Sequence, residues 1–121
     1  MGNVYRFVEP VILYMLKKTG KSYGYDLAGG MKEHALTDSE IEGAALYRTL
    51  RRLEQNGYVK SSWDTAAAGP ARRTYILTKA GEEHLREWAE VLHHLSVSME
   101  RFVQKTRQIN RTSRSRATAA S

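Results

Sequence analysis

The stretch from Ala45 to Val59, reading ALYRTLRRLEQNGYV, constrains this chain more than any other. Leu46, Leu50 and Leu53 recur at the spacing of one helix face, while Arg48, Arg51, Arg52 and Gln55 fall mostly on the opposite side. A helix with this pattern must bury its leucines against other elements and leave a row of guanidinium groups in water. Asn56-Gly57 supplies the left-handed stop that closes a helix, and Tyr58-Val59 opens a run with strand character. The fold has to be built around a half-buried basic helix that leads directly into a strand.

Ahead of it, residues 4–18 (VYRFVEPVILYMLKK) are apolar on more than one side through Val8, Val11, Ile12, Met15 and Leu16, which predicts a central helix. Pro10 is tolerated only near a first turn, so this helix either starts around Glu9-Pro10 or is kinked there. Thr19-Gly20-Lys21 breaks the pattern, and Ser22 is read as the N-cap of a second helix, YGYDLAGGMKEH, closing near His34. Gly29-Gly30 is its weak point, because each glycine inside a helix costs roughly 1 kcal/mol against alanine. The simpler reading ends the helix there; the other requires a close backbone approach to a neighbour. In the loop from Ala35 to Glu42, Ser39 and Glu42 stand at capping-box spacing, or Glu42 caps with Ile41 stapled on Leu46, and a third helix starts by Gly43.

After Gly57, two β-prone runs, YVKSSWDT and RRTYILT, flank small and turn-forming residues from Ala66 to Ala71 that include Gly69-Pro70. They predict a hairpin with a long tip and Arg72-Arg73 at its base, which is a wing. From Thr78 the helical pattern returns. Leu85, Trp88, Leu92, Leu95, Met99 and Phe102 alternate spacings of three and four in a heptad seam. Such a helix, some 45 Å long at about 1.5 Å per residue, exceeds what a small three-helix core can cover, so a second copy of the chain is expected on the seam. Residues 110–121 are rich in Ser, Thr and Ala, with Arg111, Arg114 and Arg116 and no acidic residue, and are read as a disordered basic tail. The expected architecture is mostly α with a small β-hairpin: a winged helix-turn-helix over 1–78, a C-terminal dimerisation helix over 79–109, and the tail.

Charge gives this architecture a direction. The chain of 121 residues carries a formal net charge of +6, which calls for a polyanionic partner. Between Gly43 and Lys79 the basic residues are Arg48, Arg51, Arg52, Lys60, Arg72, Arg73 and Lys79, against only Glu54 and Asp64. Positive charge is thus concentrated in the two elements that a winged helix presents to a DNA duplex. Small residues Ala44 and Ala45 let the helix approach base edges, with Arg48 and Arg52 one turn apart to reach guanines or phosphates. The competing reading is a protein-interaction module of the same fold meeting an acidic partner without a specific DNA site; a near-neutral wing and helix would have favoured it.

Other classes find little support. There is no cysteine, which excludes disulfides and zinc-thiolate sites and suits a cytoplasmic protein. The longest apolar run, Val11 to Leu16, is too short to cross a bilayer. Of His34, His84, His93 and His94, His84 and His93 are nine apart and do not share one face at ligand spacing, and no HExxH motif or Cys partner exists, so no metal or other cofactor is expected. No G-x-S-x-G elbow or phosphate loop is present, and no enzymatic activity is expected. Trp63 is read as hairpin or core packing. Trp88 falls on the seam, where it serves the dimer interface or lines a cavity for a flat hydrophobic or aromatic effector.

With these residues in hand, the chain resembles the PadR family of bacterial winged-helix transcriptional regulators. The resemblance runs from about Val8 to Leu85 and rests on Tyr23-Gly24-Tyr25-Asp26-Leu27, on ALYRTLRRLEQNGYV and on GPARRTYILTKAG. The single C-terminal helix is similar to the family's smaller subfamily, whose members are dimers with each last helix packed on the other protomer. The resemblance implies a repressor of a nearby promoter, released in some members by a small ligand. It places Tyr23, Ala45, Tyr47, Arg48, Arg52, Gly69, Pro70, Arg72 and Arg73 at the DNA surface. Two departures stand out: Ala44-Ala45 occupies the place of a common Gly-Thr or Gly-Ser, which removes a hydroxyl, and Leu92 stands where one multidrug-responsive branch has a drug-stacking tryptophan.

Overall fold

A computed structural model of the protein describes residues 7–31, 43–65 and 69–120, with backbone alone for 113–120. The chain forms two compact units, Met1–Trp88 and Ala89–Ser121. In chain order the elements are α1 (Val8–Thr19), β1 (Ser22–Tyr23), α2 (Gly24–Met31), α3 (Gly43–Gln55), β2 (Val59–Asp64), β3 (Arg72–Leu77) and α4 (Lys79–Ala120).

α1 is the axis of the first unit. Pro10 lies in its first turn, where the amide it lacks would have no helical acceptor, so the proline is accommodated without a kink. Val8, Ile12, Leu13 and Leu16 are fully buried, and they pack with Leu27 of α2, Leu46, Leu50 and Leu53 of α3, and Val59 of β2. Each such side chain contributes about 1.5–3 kcal/mol of apolar burial. Gly20 closes α1 at φ +80°, its amide donating to the Leu16 carbonyl at 2.8 Å.

Two features of the next segment differ from expectation. Ser22 is a strand residue rather than an N-cap: Ser22 and Tyr23 pair antiparallel with Tyr75 and Thr74, giving a three-stranded sheet in the order β1-β3-β2. The hairpin alone would leave the backbone groups along one side of β3 unpaired, and the two-residue β1 takes them up. α2 then runs through Gly29 and Gly30 to Met31 instead of ending at them. Gly30 makes the close approach to a neighbour, since a Cβ there would stand 2.2 Å from the Met15 methyl group, whereas one on Gly29 would meet nothing within 4 Å among the described residues. The expected caps Ser39 and Glu42 and the staple residue Ile41 lie outside the described residues.

α3 ends as its sequence dictates. Gly57 adopts φ +80°, its amide bonds the Glu54 carbonyl at 3.0 Å, and the Tyr58 amide bonds the Leu53 carbonyl at 2.9 Å, which is the Schellman pattern. β2 and β3 pair in register from Val59↔Leu77 to Asp64↔Arg72. Thr78 links the sheet to α4. It caps the helix, with its hydroxyl accepting the Gly81 amide at 3.0 Å, and donates the same hydroxyl to the Gly57 carbonyl at 2.6 Å.

The heptad seam divides between the two units. Leu85 and Trp88 pack against the core of the first. In the second, Leu92 is half-buried, and Leu95, Met99 and Phe102 are 38%, 56% and 66% exposed. α4 continues as helix to Ala120 and so includes the stretch expected as a disordered tail. No glycine or proline follows Gly81, so nothing in the sequence stops the helix.

Candidate nucleic-acid interface

The leucine stripe of α3 fixes which of its residues face outward. Leu46, Leu50 and Leu53 are at most 1% exposed, so Ala44, Tyr47, Arg48, Arg51, Arg52 and Gln55 form the outer surface. Ala45 belongs to the inner one. It is only 4% exposed, and its carbonyl accepts the buried Thr49 hydroxyl at 2.8 Å. A residue so placed cannot touch base edges, and the small residue at the helix surface is Ala44. Tyr47 lies across the start of α2, where a Cβ on Gly24 would meet its ring at 2.9 Å. It therefore spaces α2 from α3 while 45% of its surface stays open.

The three arginines of α3 differ in their surroundings. Arg48 and Arg51 are exposed and make no ion pair or hydrogen bond among the described residues. Arg52 donates to a carboxylate oxygen of Glu9 at 3.1 Å. Arg51 was not among the residues the sequence assigned to the DNA surface. It lines a cleft of about 300 Å³ together with Tyr47, Glu54, Arg73 and Tyr75. Burial holds the Tyr75 phenol above its ordinary pKa, so it stays protonated there.

The wing arginines are fixed by aromatic and acidic neighbours. Arg72 lies 5.6 Å from the centroid of the Tyr23 ring, and Arg73 lies 5.7 Å from that of Trp63, its cross-strand neighbour. Arg73 also donates to the Ser61 hydroxyl at 2.8 Å and to Glu54 at 3.3 Å. The Tyr23 hydroxyl donates to Asp64, and that hydrogen bond holds the phenol above its ordinary pKa. Tyr23 reaches this position because β1 pairs with β3, so the unforeseen strand is what brings it to the wing. Gly69, at φ +116°, and Pro70 are both exposed at the wing tip. Tyr23, Arg72 and Arg73 thus gather at the wing, and Tyr47, Arg48 and Arg52 on α3.

Trp88, assigned from sequence to the seam and to a ligand cavity, is half-buried in the first unit with its indole N–H donating to Glu9 at 3.0 Å. Glu9 and His84 were missed as functional candidates. The contacts of Glu9 lie 43 to 79 positions away along the chain, and no local pattern signals them. Among the described residues no group of three His, Cys, Asp or Glu side chains is placed to hold a metal.

A basic helix packed on a three-helix core, running through a glycine stop into an arginine-bearing hairpin, defines the winged helix-turn-helix class. The model of the Transcriptional regulator PadR-like family matches residues 12–87, more than half of the chain, and the protein belongs to that family of DNA-binding transcriptional regulators. A transcriptional regulator from Clostridium thermocellum is 28% identical with a TM-score of 0.74, covering 85% of this chain and 97% of that one. A PadR family transcriptional regulator from Eggerthella lenta is 29% identical with a TM-score of 0.64, covering 76% of this chain and 80% of that one. An uncharacterised protein from Lysinibacillus sphaericus is 26% identical over 97 residues, which is 77% of this chain and 88% of that protein. Among the described residues no helix is long and apolar enough to cross a membrane.

Proposed function

We propose that the protein is a cytoplasmic, homodimeric repressor that binds an inverted-repeat operator and is released from it by a small hydrophobic or aromatic effector. The observation that carries this reading is the pair Arg48 and Arg51, exposed on the outer face of α3 with no acidic partner among the described residues. Guanidinium groups free on one helix face are suited to guanine edges and phosphates in a major groove. Arg72 and Arg73, stiffened by Tyr23 and Trp63, supply phosphate contacts from the wing. Leu92, Leu95, Met99 and Phe102 supply the dimer contact, since this row, half-buried at Leu92 and exposed beyond it, covers itself when two copies pair.

Two such helices related by a twofold axis require half-sites about 10 bp apart, or a multiple of that. DNase footprinting across the promoter of its own gene should show a protected region with twofold symmetry at that spacing. A protected region without symmetry, or none, contradicts the dimeric-repressor reading. For the effector, a Trp63→Phe variant isolates Trp88 emission. Planar hydrophobic compounds should quench it and release the DNA, and an unchanged signal across a broad panel speaks against a responsive site on α4.

A further inference from the structure

Glu9 stands in the first turn of α1, and its carboxylate joins three elements. One oxygen accepts Arg52 of α3 at 3.1 Å; the other accepts the Trp88 indole N–H of α4 at 3.0 Å and contacts His84 Nε2 of the same helix. The Glu9 side chain is 14% exposed, whereas that of Arg52 is 55% exposed. Burial alone would favour the neutral acid, but the hydrogen bonds from Trp88, His84 and Arg52 outweigh it and hold the carboxyl below its ordinary pKa. The start of α1 also favours negative charge at this place. Tyr58 stacks on the His84 ring at 3.9 Å, which fixes the imidazole toward Glu9.

This arrangement affects the arginine more than the glutamate. Arg52 reaches solvent with its charge already matched by an anion inside the protein, unlike Arg48 and Arg51. A DNA phosphate approaching it must compete with Glu9, and the strength of that competitor depends on how much of its charge the α4 donors already occupy. A carboxylate that loses the Trp88 hydrogen bond leans harder on Arg52; one more fully satisfied by α4 lets it go.

We infer that Glu9 is a positioning residue that holds Arg52 back from the DNA backbone, and that His84 and Trp88 of α4 set how firmly it does so. The inference rests on the reading of α3 as the DNA-facing helix. It gives a physical link from α4 to that helix through one side chain, and it makes Arg52 an adjustable contact.

The test uses the full chain. Anisotropy on a promoter duplex across a salt series, for wild type, Glu9→Gln, Arg52→Ala and the double variant, reads the number of phosphates neutralised. Glu9→Gln should steepen the slope of log K against log salt by about 1.8, the value of one added phosphate contact from each protomer of the dimer. Arg52→Ala should leave the wild-type slope nearly unchanged, and the double variant should return to it. A second readout needs no DNA. In ¹H–¹⁵N spectra the Trp88 indole resonance reports its hydrogen bond to Glu9, with Trp63 as internal reference. Arg52→Ala should move it downfield, because the carboxylate turns to its remaining donors, and Glu9→Gln should move it upfield. A Glu9→Gln slope equal to or shallower than wild type overturns the restraint on Arg52. A Trp88 resonance that ignores Arg52→Ala overturns the coupling. Should no variant bind DNA at all, the DNA-facing reading fails, and with it the restraint as a control of DNA binding, while the indole resonance still decides whether α4 and Arg52 are coupled.

Discussion

At the scale of single residues, the surface of α3 is set by which side chains are matched inside the protein. Arg48 could be read as an outward cation because three leucines fix the helix phase from the sequence alone. Ala45 could not be placed so easily. It lies at the border of the leucine stripe, and only the packing of the neighbouring elements decides on which side it falls. Glu9 was illegible for a different reason, since its partners Arg52, His84 and Trp88 are assembled only by the tertiary fold. Its charge also makes a measurable contribution. A carboxyl held below its ordinary value of 4.5 in the folded state stabilises the fold fully above that pH, and the contribution is lost as pH falls through the lower folded value. The difference in melting temperature between wild type and Glu9→Gln should therefore be largest above about pH 4.5 and shrink in more acid buffer. A difference that holds constant across the acid range contradicts this role for the carboxylate.

At the scale of elements, the legible parts were those whose pattern is local. The leucine stripe and the Asn56-Gly57 stop located α3, and the two β-prone runs located β2 and β3. β1 was missed because two residues carry no period, and because its existence depends on the partner β3 rather than on its own side chains. α2 continues through Gly29-Gly30 against local propensity, and of the two only Gly30 sits against Met15, where a Cβ would not fit. Gly81 shows the same logic in α4. A Cβ there would stand 2.1 Å from the Tyr58 carbonyl oxygen and 2.6 Å from Leu77, so the first turn of α4 sits against the chain between α3 and β2. Backbone cannot yield as a flexible side chain can, and Gly81→Ala should destabilise the fold by roughly 1–3 kcal/mol in spite of alanine's better helix propensity. Urea titration checks this; a variant as stable as wild type would mean that the two segments do not meet so closely.

At the scale of the whole molecule, the proposed recognition of an inverted repeat requires two copies, because one α3 would read only one half-site. The seam was legible as a heptad pattern, whereas its division was not: Leu85 and Trp88 pack on the core of the first unit, so the proposed dimer contact is confined to residues 92–102. Replacing Leu95, Met99 and Phe102 with serine should convert a dimer to monomers in sedimentation equilibrium, and variants that remain dimeric would place the interface elsewhere. On the proposed reading the outer face of α3 reads sequence while the wing holds phosphates. The ratio of affinities for the promoter duplex and a random duplex, measured by anisotropy at fixed salt for wild type, Arg48→Ala and Arg72→Ala/Arg73→Ala, separates the two roles. Loss of Arg48 should lower the ratio by a factor worth about 1–3 kcal/mol per half-site, whereas loss of the wing arginines should weaken both duplexes alike and leave the ratio unchanged. Equal ratios for all three proteins, or a wild type that prefers neither duplex, would contradict the account.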